Sequence, residues 1–279
     1  MQVLKVTIGV LILSISAFLS LKFYGTSQNY QAYDHPVLKL PTPWVLAWGG
    51  DNSEGPSHSI IAFNSATRLK GVMIAANIQL NAQNHFYVIS QEFDSKNKVL
   101  GSRKFINYSD NEVKEINIGN GESPMELEDL LKRYSKKTIL LWLNDNSENI
   151  DLRLEPLLKK YATQSNILIH SEYDNVGKSL KKLLPQLLYG TGVGQRIRML
   201  MLGSIGLEGV ASLDGDFLVS PIKEHGVSSL SGELKNELIH RKKIFILGPL
   251  MSIHENEQAI KFGATGYLTV YPKDLINKF

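Results

Sequence analysis

Apolar and polar positions alternate in blocks along this chain. Two short apolar runs, Trp44–Ala47 and Val72–Ile78, flank a loop rich in Gly, Ser and Asn and then an amphipathic segment. That order predicts strand, loop, helix, strand, the unit of parallel α/β sheets. Phe86–Ser90 reads as a further extended segment after a turn at Asn81–Asn84. Gln91–Lys114 reads as a polar excursion. Strands are predicted at Thr138–Leu143, Asn166–His170, Arg198–Leu202, Asp216–Val219, Lys243–Leu247 and Gly266–Thr269. Between them, helical spacing is predicted over Met125–Tyr134 behind Pro124, and over Leu152–Ala162 with Pro156 in its first turns. Val176–Leu184 is stopped by Pro185, Gly232–His240 follows, and Glu255–Phe262 is closed by Gly263. The alternation repeats about eight times, which predicts an α/β fold closed as a (β/α)8 TIM barrel, with an open doubly wound sheet as the alternative. No linker splits the body.

The N-terminus departs from this pattern. Val6–Leu21 is uncharged and apolar apart from Ser and Thr, between Lys5 and Lys22. A bilayer core takes about 20 helical residues, so this run with Phe23 and Tyr24 spans it narrowly. Residues 1–24 are therefore expected to form a signal anchor or transmembrane helix. A cleaved signal peptide or a buried helix are the alternatives. The α-amine and Lys5 favour a cytoplasmic N-terminus, with the barrel outside the cytoplasm, periplasmic in a bacterium, or secreted if the segment is cleaved. Residues 25–40 read as a tether and 41–279 as the barrel.

Composition narrows the chemistry. The chain has 279 residues, 43% apolar and 20% charged, with net charge +3 and no cysteine. This is an ordinary globular mixture able to bury a core. Basic residues are scattered and not interleaved with aromatics, so nucleic acid is not an expected partner. Without cysteine there is no disulfide, thiolate nucleophile or Cys-based zinc site.

Several stretches resemble the glycerophosphodiester phosphodiesterase family. That family's first strand ends Ala-His-Arg-Gly-Gly, followed by Pro-Glu-Asn-Thr and an Ala-Phe pair. Here the stretch reads Ala47-Trp48-Gly49-Gly50, then Pro56-Ser57-His58-Ser59, then Ala62-Phe63. Its second strand, Glu-Leu-Asp-Val-Gln-Leu-Thr, is similar to Ala75-Ala76-Asn77-Ile78-Gln79-Leu80-Asn81. Its Pro-Thr-Leu-Glu-Glu helix start resembles Ser123-Pro124-Met125-Glu126-Leu127-Glu128-Asp129. Its closing Gly-x-Asp-Gly-Ile-Ile-Thr-Asp-x-Pro resembles Gly263 to Pro272.

The resemblance implies hydrolysis of a phosphodiester to glycerol phosphate and an alcohol. Two histidines would serve as acid and base, an arginine would hold the phosphate, and three carboxylates would hold Ca2+ or Mg2+. In this chain the first histidine position is Trp48, the arginine position Gly49, and the second histidine position falls near Ser90. The carboxylate positions are Ser57, Ala75 and Asn77, and the fourth strand's Glu-x-Lys appears as Trp142 and Asn144. A hard cation wants carboxylate oxygens, and proton transfer wants a group that titrates near the working pH. No catalytic residue, metal ligand or cofactor is therefore expected at the family positions. Trp48, Asn77, Ser90, Trp142, Asn144, His170 and Glu172 are expected to line a pocket.

Other motifs have plainer readings. His170-Ser171-Glu172 ends a predicted strand, where barrels present function, but reads first as a surface pair. His58 reads as a solvated loop histidine and His85 as exposed. Asp214-Gly215-Asp216 reads as a turn, Gly190–Gly194 as a flexible connection after no clear strand, and Lys178–Lys182 as a solvated helix face. The expected function is a membrane-anchored binding or scaffolding barrel, with the membrane and a small-molecule or protein ligand at its mouth as partners. The alternative is an active hydrolase of glycerophosphodiesters or related lipid-derived phosphates, using His58, His170 and Glu172.

Overall fold

The computed structural model describes residues 2–90, 104–162 and 166–279. The chain opens with helix α1 (Gln2–Ser27) and a single 3-10 turn at Pro36–Lys39. Strand β1 (Trp44–Trp48), helix α2 (Ile60–Arg68) and strand β2 (Val72–Leu80) form the first unit. An excursion follows: β3 (Phe86–Val88), α3 (Asp110–Glu115) and β4 (Met125–Glu126). The alternation resumes with α4 (Leu127–Arg133), β5 (Thr138–Leu143), α5 (Ile150–Tyr161), β6 (Asn166–Ser171), α6 (Asp174–Leu183) and β7 (Leu188–Tyr189). It continues with α7 (Val193–Gly203), β8 (Phe217–Ser220), the hairpin β9 (Lys223–Glu224) and β10 (Val227–Ser228), and α8 (Gly232–His240). It ends with β11 (Ile244–Leu250), α9 (Ile253–Phe262), β12 (Gly266–Thr269) and α10 (Pro272–Ile276).

The parallel order is β7-β6-β5-β2-β1-β12-β11-β8. The two ends meet at a bridge between Gly190 and Phe217, where the Thr191 N–H donates to the Phe217 carbonyl at 2.8 Å. The sheet is thus a closed eight-stranded barrel with helices outside, and the open doubly wound alternative is set aside. Because both faces of each strand are buried, the strands read as continuous apolar runs. Trp44, Leu46, Met73, Leu140, Leu168 and Phe217 fill the interior. The alternate residues, such as Val45, Ile74 and Leu141, pack under the helices.

Local chemistry sets the helix ends. Ser59 Oγ accepts the Ala62 N–H at 3.1 Å and starts α2. Ser252 and Glu255 form a reciprocal capping box on α9, and Gly263, at φ 74°, closes it. The excursion carries its own small core of Tyr87, Ile89, Phe105, Tyr108, Val113 and Ile116. Its stretch Gln91–Arg103 lies outside the described residues.

Two expectations are corrected. Arg198–Leu202 is not a strand but part of α7: Met199 and Leu200 are buried while Met201 is exposed, a helical period. The seventh strand is instead Leu188–Tyr189. Gly190–Gly194 accordingly follows a strand directly and leads into α7, with Gly192 as its N-cap.

The segment before the barrel is docked. Tyr33 Oη donates to the Pro185 carbonyl at 3.0 Å. Val37 is buried in the barrel interior from below.

Candidate functional site

The register brings one layer of inward-facing side chains to the carboxyl ends of the strands. Asn77 pairs with Trp142, Trp142 with His170, and Trp48 with Ala75. Trp48 and Trp142 meet at 5.2 Å between ring centroids, and Trp142 and His170 at 4.2 Å.

The first loop is tied beneath this layer. The backbone turns through Gly49 (φ 67°) and Gly50 (φ 93°). The His58 N–H donates to the Gly49 carbonyl at 2.7 Å. The Asn77 backbone N–H donates to His58 Nε2 at 3.0 Å, and Ser57 Oγ lies 2.8 Å from His58 Nδ1. An amide N–H can only donate, so Nε2 carries no proton and Nδ1–H donates to Ser57. The pair is therefore not a nucleophile with its base: the imidazole already holds its proton on the serine side. His58 is 1% exposed, and burial pulls its pKa down to about 3. The reading of His58 as a solvated loop residue is thus corrected, since its ring fills the space under Trp48 and against Phe63. A Cβ on Gly49 would overlap Ser57 Oγ and press on the His58 ring, so no side chain can project from that position.

His170 is likewise no surface residue. It is 0% exposed, and neither ring nitrogen has a hydrogen-bond partner among the described residues. Its Nε2 is 3.9 Å from Glu172 Oε1, beyond hydrogen-bond reach. Burial, with a smaller contribution from the Arg196 charge, holds its pKa down to about 3. Gly190 makes room for the ring, because a Cβ there would overlap His170 Nδ1. Gly190→Ala is expected to cost about 1–3 kcal/mol through overpacking, measured by urea unfolding, with His170→Ala in the same chain recovering part of the loss.

Sequence reasoning missed a charged cluster beside His170. Arg196 is 4% exposed. It forms a two-pronged pair with Glu224, Nε to Oε2 at 2.8 Å and Nη2 to Oε1 at 2.7 Å, and its Nη1 donates to the Val219 carbonyl at 3.1 Å. Glu172 stands 3.6 Å from Nη2. Burial raises the Glu172 pKa, and the Arg196 charge opposes that shift. The signal was present: Arg196 shares a helical face with Met199 and Leu200, and a buried arginine demands a carboxylate. Reading that run as a strand hid it.

The remaining expected residues are more dispersed. Asn77 Nδ2 donates to the Ile89 carbonyl at 2.7 Å, while its Oδ1 is buried without a partner among the described residues. Asn144 lines a cavity of about 430 Å³ beside the mouth, together with Gln79, Lys104, Asn146, Ser147 and Tyr173. Ser90 is half-buried and borders the stretch outside the described residues.

These residues do not fit a divalent cation. Ser57 Oγ is engaged by His58, Ala75 has no donor atom, and Asn77 Oδ1 is neutral. Nearby carboxylates serve the fold. Asp51 accepts from Ser53 Oγ at 2.7 Å and Ser65 Oγ at 3.1 Å, and Glu122 accepts the Ile60 N–H at 2.7 Å. Among the described residues, no group of three or more His, Asp or Glu side chains is placed to hold a metal.

No family model matches the sequence, nor does any curated protein. Solved structures do match, and many are glycerophosphodiester phosphodiesterases. The chain is similar to a glycerophosphodiester phosphodiesterase from Parabacteroides distasonis at 16% identity and TM-score 0.64, over 86% of this chain and 98% of that one. It is similar to a phosphodiesterase from Oleispira antarctica, solved in complex with the product sn-glycerol-3-phosphate, at 13% identity and TM-score 0.65, over 85% of this chain and 96% of that one. The chain has the barrel fold of the glycerophosphodiester phosphodiesterases.

Proposed function

We propose that this chain is a membrane-held, phosphodiesterase-like barrel that binds a ligand at its mouth and does not hydrolyse it. The observation that carries the reading is the Gly49–Ser57–His58–Asn77 knot. Where an arginine and a cation would have to sit, a neutral imidazole is packed and hydrogen-bonded on both nitrogens. Proton transfer near neutral pH needs a group that titrates there. His58 and His170, both held at about 3, do not. The cavity lined by Gln79, Asn144, Asn146, Ser147 and Tyr173 supports binding of a small hydroxylated ligand through amides and hydroxyls. Anchoring is supported by the helical stretch Lys5–Ser27, whose most apolar 18-residue window has mean hydropathy 2.1 and is not buried, the helix touching the barrel near its end at Gly25. Lys5 favours the topology that leaves the barrel outside the cytoplasm.

Purified full-length protein incubated with glycerophosphocholine and Ca2+ or Mg2+ is expected to release no glycerol phosphate above a protein-free blank. Trp48→His is expected to remain inactive, because Ser57, Ala75 and Asn77 still supply no charge for a cation. Metal-dependent release by the natural chain, or rescue by that one substitution, would overturn the reading.

A second reading keeps turnover and assigns it to Glu172. It is favoured by one observation, a carboxyl with a raised pKa at the mouth beside an arginine. Release of glycerol phosphate that disappears in a folded Glu172→Gln variant would put this reading in place of the first.

A further inference from the structure

At the amino ends of the strands, opposite the mouth, lies a cavity of about 520 Å³. Leu40, Pro43, Trp44, Ile276 and Phe279 give it an apolar wall, and Lys70, Lys136 and Lys137 bring three ammonium groups to it. Lys137 Nζ donates to the Thr67 carbonyl at 2.7 Å. Lys70 and Lys136 are exposed and pair with no carboxylate among the described residues.

The charge is not confined to the cavity. Arg68 and Arg133 end α2 and α4 on the same face, and Lys242 follows α8 there. Acidic groups on this face include Asp34, which pairs with Lys39 at 2.7 Å, and Glu208. The loops at the mouth carry the opposite bias. Asp51, Glu54, Asp145, Glu148 and Asp174 stand there with Lys104, Lys223 and Lys273.

Helix α1 leaves from the basic face. Its Gly25 backbone packs on that of Gly209, in the turn before β8, so closely that a Cβ on Gly25 would stand 2.8 Å from the Gly209 carbonyl carbon. Two glycines are what allow that approach.

We infer that the base of the barrel is seated on the anionic phospholipid surface of the membrane that α1 enters. One lipid phosphate lies among Lys70, Lys136 and Lys137, and the start of its acyl chains lies against Leu40, Ile276 and Phe279. The inference rests on the anchor reading above. Charge complementarity selects this occupant, since an anionic leaflet gains about fivefold in binding per lysine held near it. A cavity that is cationic at its rim and apolar at its wall matches an amphiphilic anion. The continuity with α1 fixes which face meets the bilayer.

The chain has no cysteine, so single labelling sites can be introduced cleanly. Asn277→Cys labels the base and Glu148→Cys the mouth. Each full-length variant is reconstituted with lipids bearing nitroxide quenchers, in phosphatidylcholine vesicles with and without phosphatidylglycerol. Flotation with pure phosphatidylcholine vesicles tests the anchor separately. A chain that does not float sinks the anchor and this inference with it. A chain that floats is expected to show severalfold stronger quenching at Asn277→Cys than at Glu148→Cys when phosphatidylglycerol is present. Lys70→Glu with Lys136→Glu is expected to abolish that excess while flotation persists. Equal quenching at the two sites, indifference to phosphatidylglycerol, or the same effect from inorganic phosphate without it would overturn the inference.

Discussion

Replacing Arg196 with methionine is expected to lower the unfolding free energy by about 3–5 kcal/mol at neutral pH. The side chain is buried and is met by two carboxylates, Glu224 at 2.7 Å and Glu172 at 3.6 Å. Methionine fills similar volume, so little of the loss comes from a cavity. The cost lies in two acidic groups left in a poorly solvated pocket without their cation. Arg196→Lys should lose less, because charge survives while the two-pronged geometry and the bond to the Val219 carbonyl are weakened. The informative comparison adds Glu172→Gln and Glu224→Leu to Arg196→Met. Removing the stranded charges together should recover much of the stability, as buried ionic groups commonly repay little beyond their own desolvation. Denaturant midpoints for the single and triple variants measure this. A harmless single variant would mean that the cluster is open to water.

Acid is expected to unfold this protein through its buried histidines. Folded, His58 and His170 are held near 3; unfolded, each returns to about its ordinary value of 6.5. Between those values the unfolded chain binds more protons than the folded one, so stability falls as pH falls. It is intact above 6.5 and is lost progressively down towards 3. One fully bound proton contributes about 1.36 kcal/mol per pH unit; since the unfolded imidazoles are only half protonated at pH 6.5, the pair removes about 3 kcal/mol between pH 6.5 and 5. Glu172 acts with the opposite sign. Its raised pKa favours the folded form at low pH and loses that contribution as pH rises above its unfolded value, one group against two. His170→Phe tests the account. The imidazole makes no hydrogen bond among the described residues, so an apolar ring of similar size should leave stability at pH 7 equal or higher. The slope below pH 6.5 should fall by about half. An unchanged slope would mean that His170 titrates normally in the folded state.

Gly232–His240 and Gly266–Thr269 stand where their local patterns put them, because Ser231 caps the helix and the short buried run has no helical competitor. The seventh strand escaped notice because Leu188–Tyr189 is two residues long and carries no pattern of its own. The apolar run at Arg198–Leu202 took its place, and a short apolar run does not distinguish a buried strand from one face of a helix. That single exchange also concealed Arg196.

What the sequence determined by itself was the barrel. It follows from local facts: the alternation of apolar runs with helical segments, and the caps and glycines that end them. What only the tertiary structure decided was the state of the residues that remain. Whether His58 and His170 carry charge depends on how much water reaches them, and closure of the sheet around them removes it. That Arg196 finds Glu224, 28 residues along the chain, depends on where α7 and the β9–β10 hairpin lie against one another. No local period encodes that distance, because the pairing energy exists only after the elements have packed.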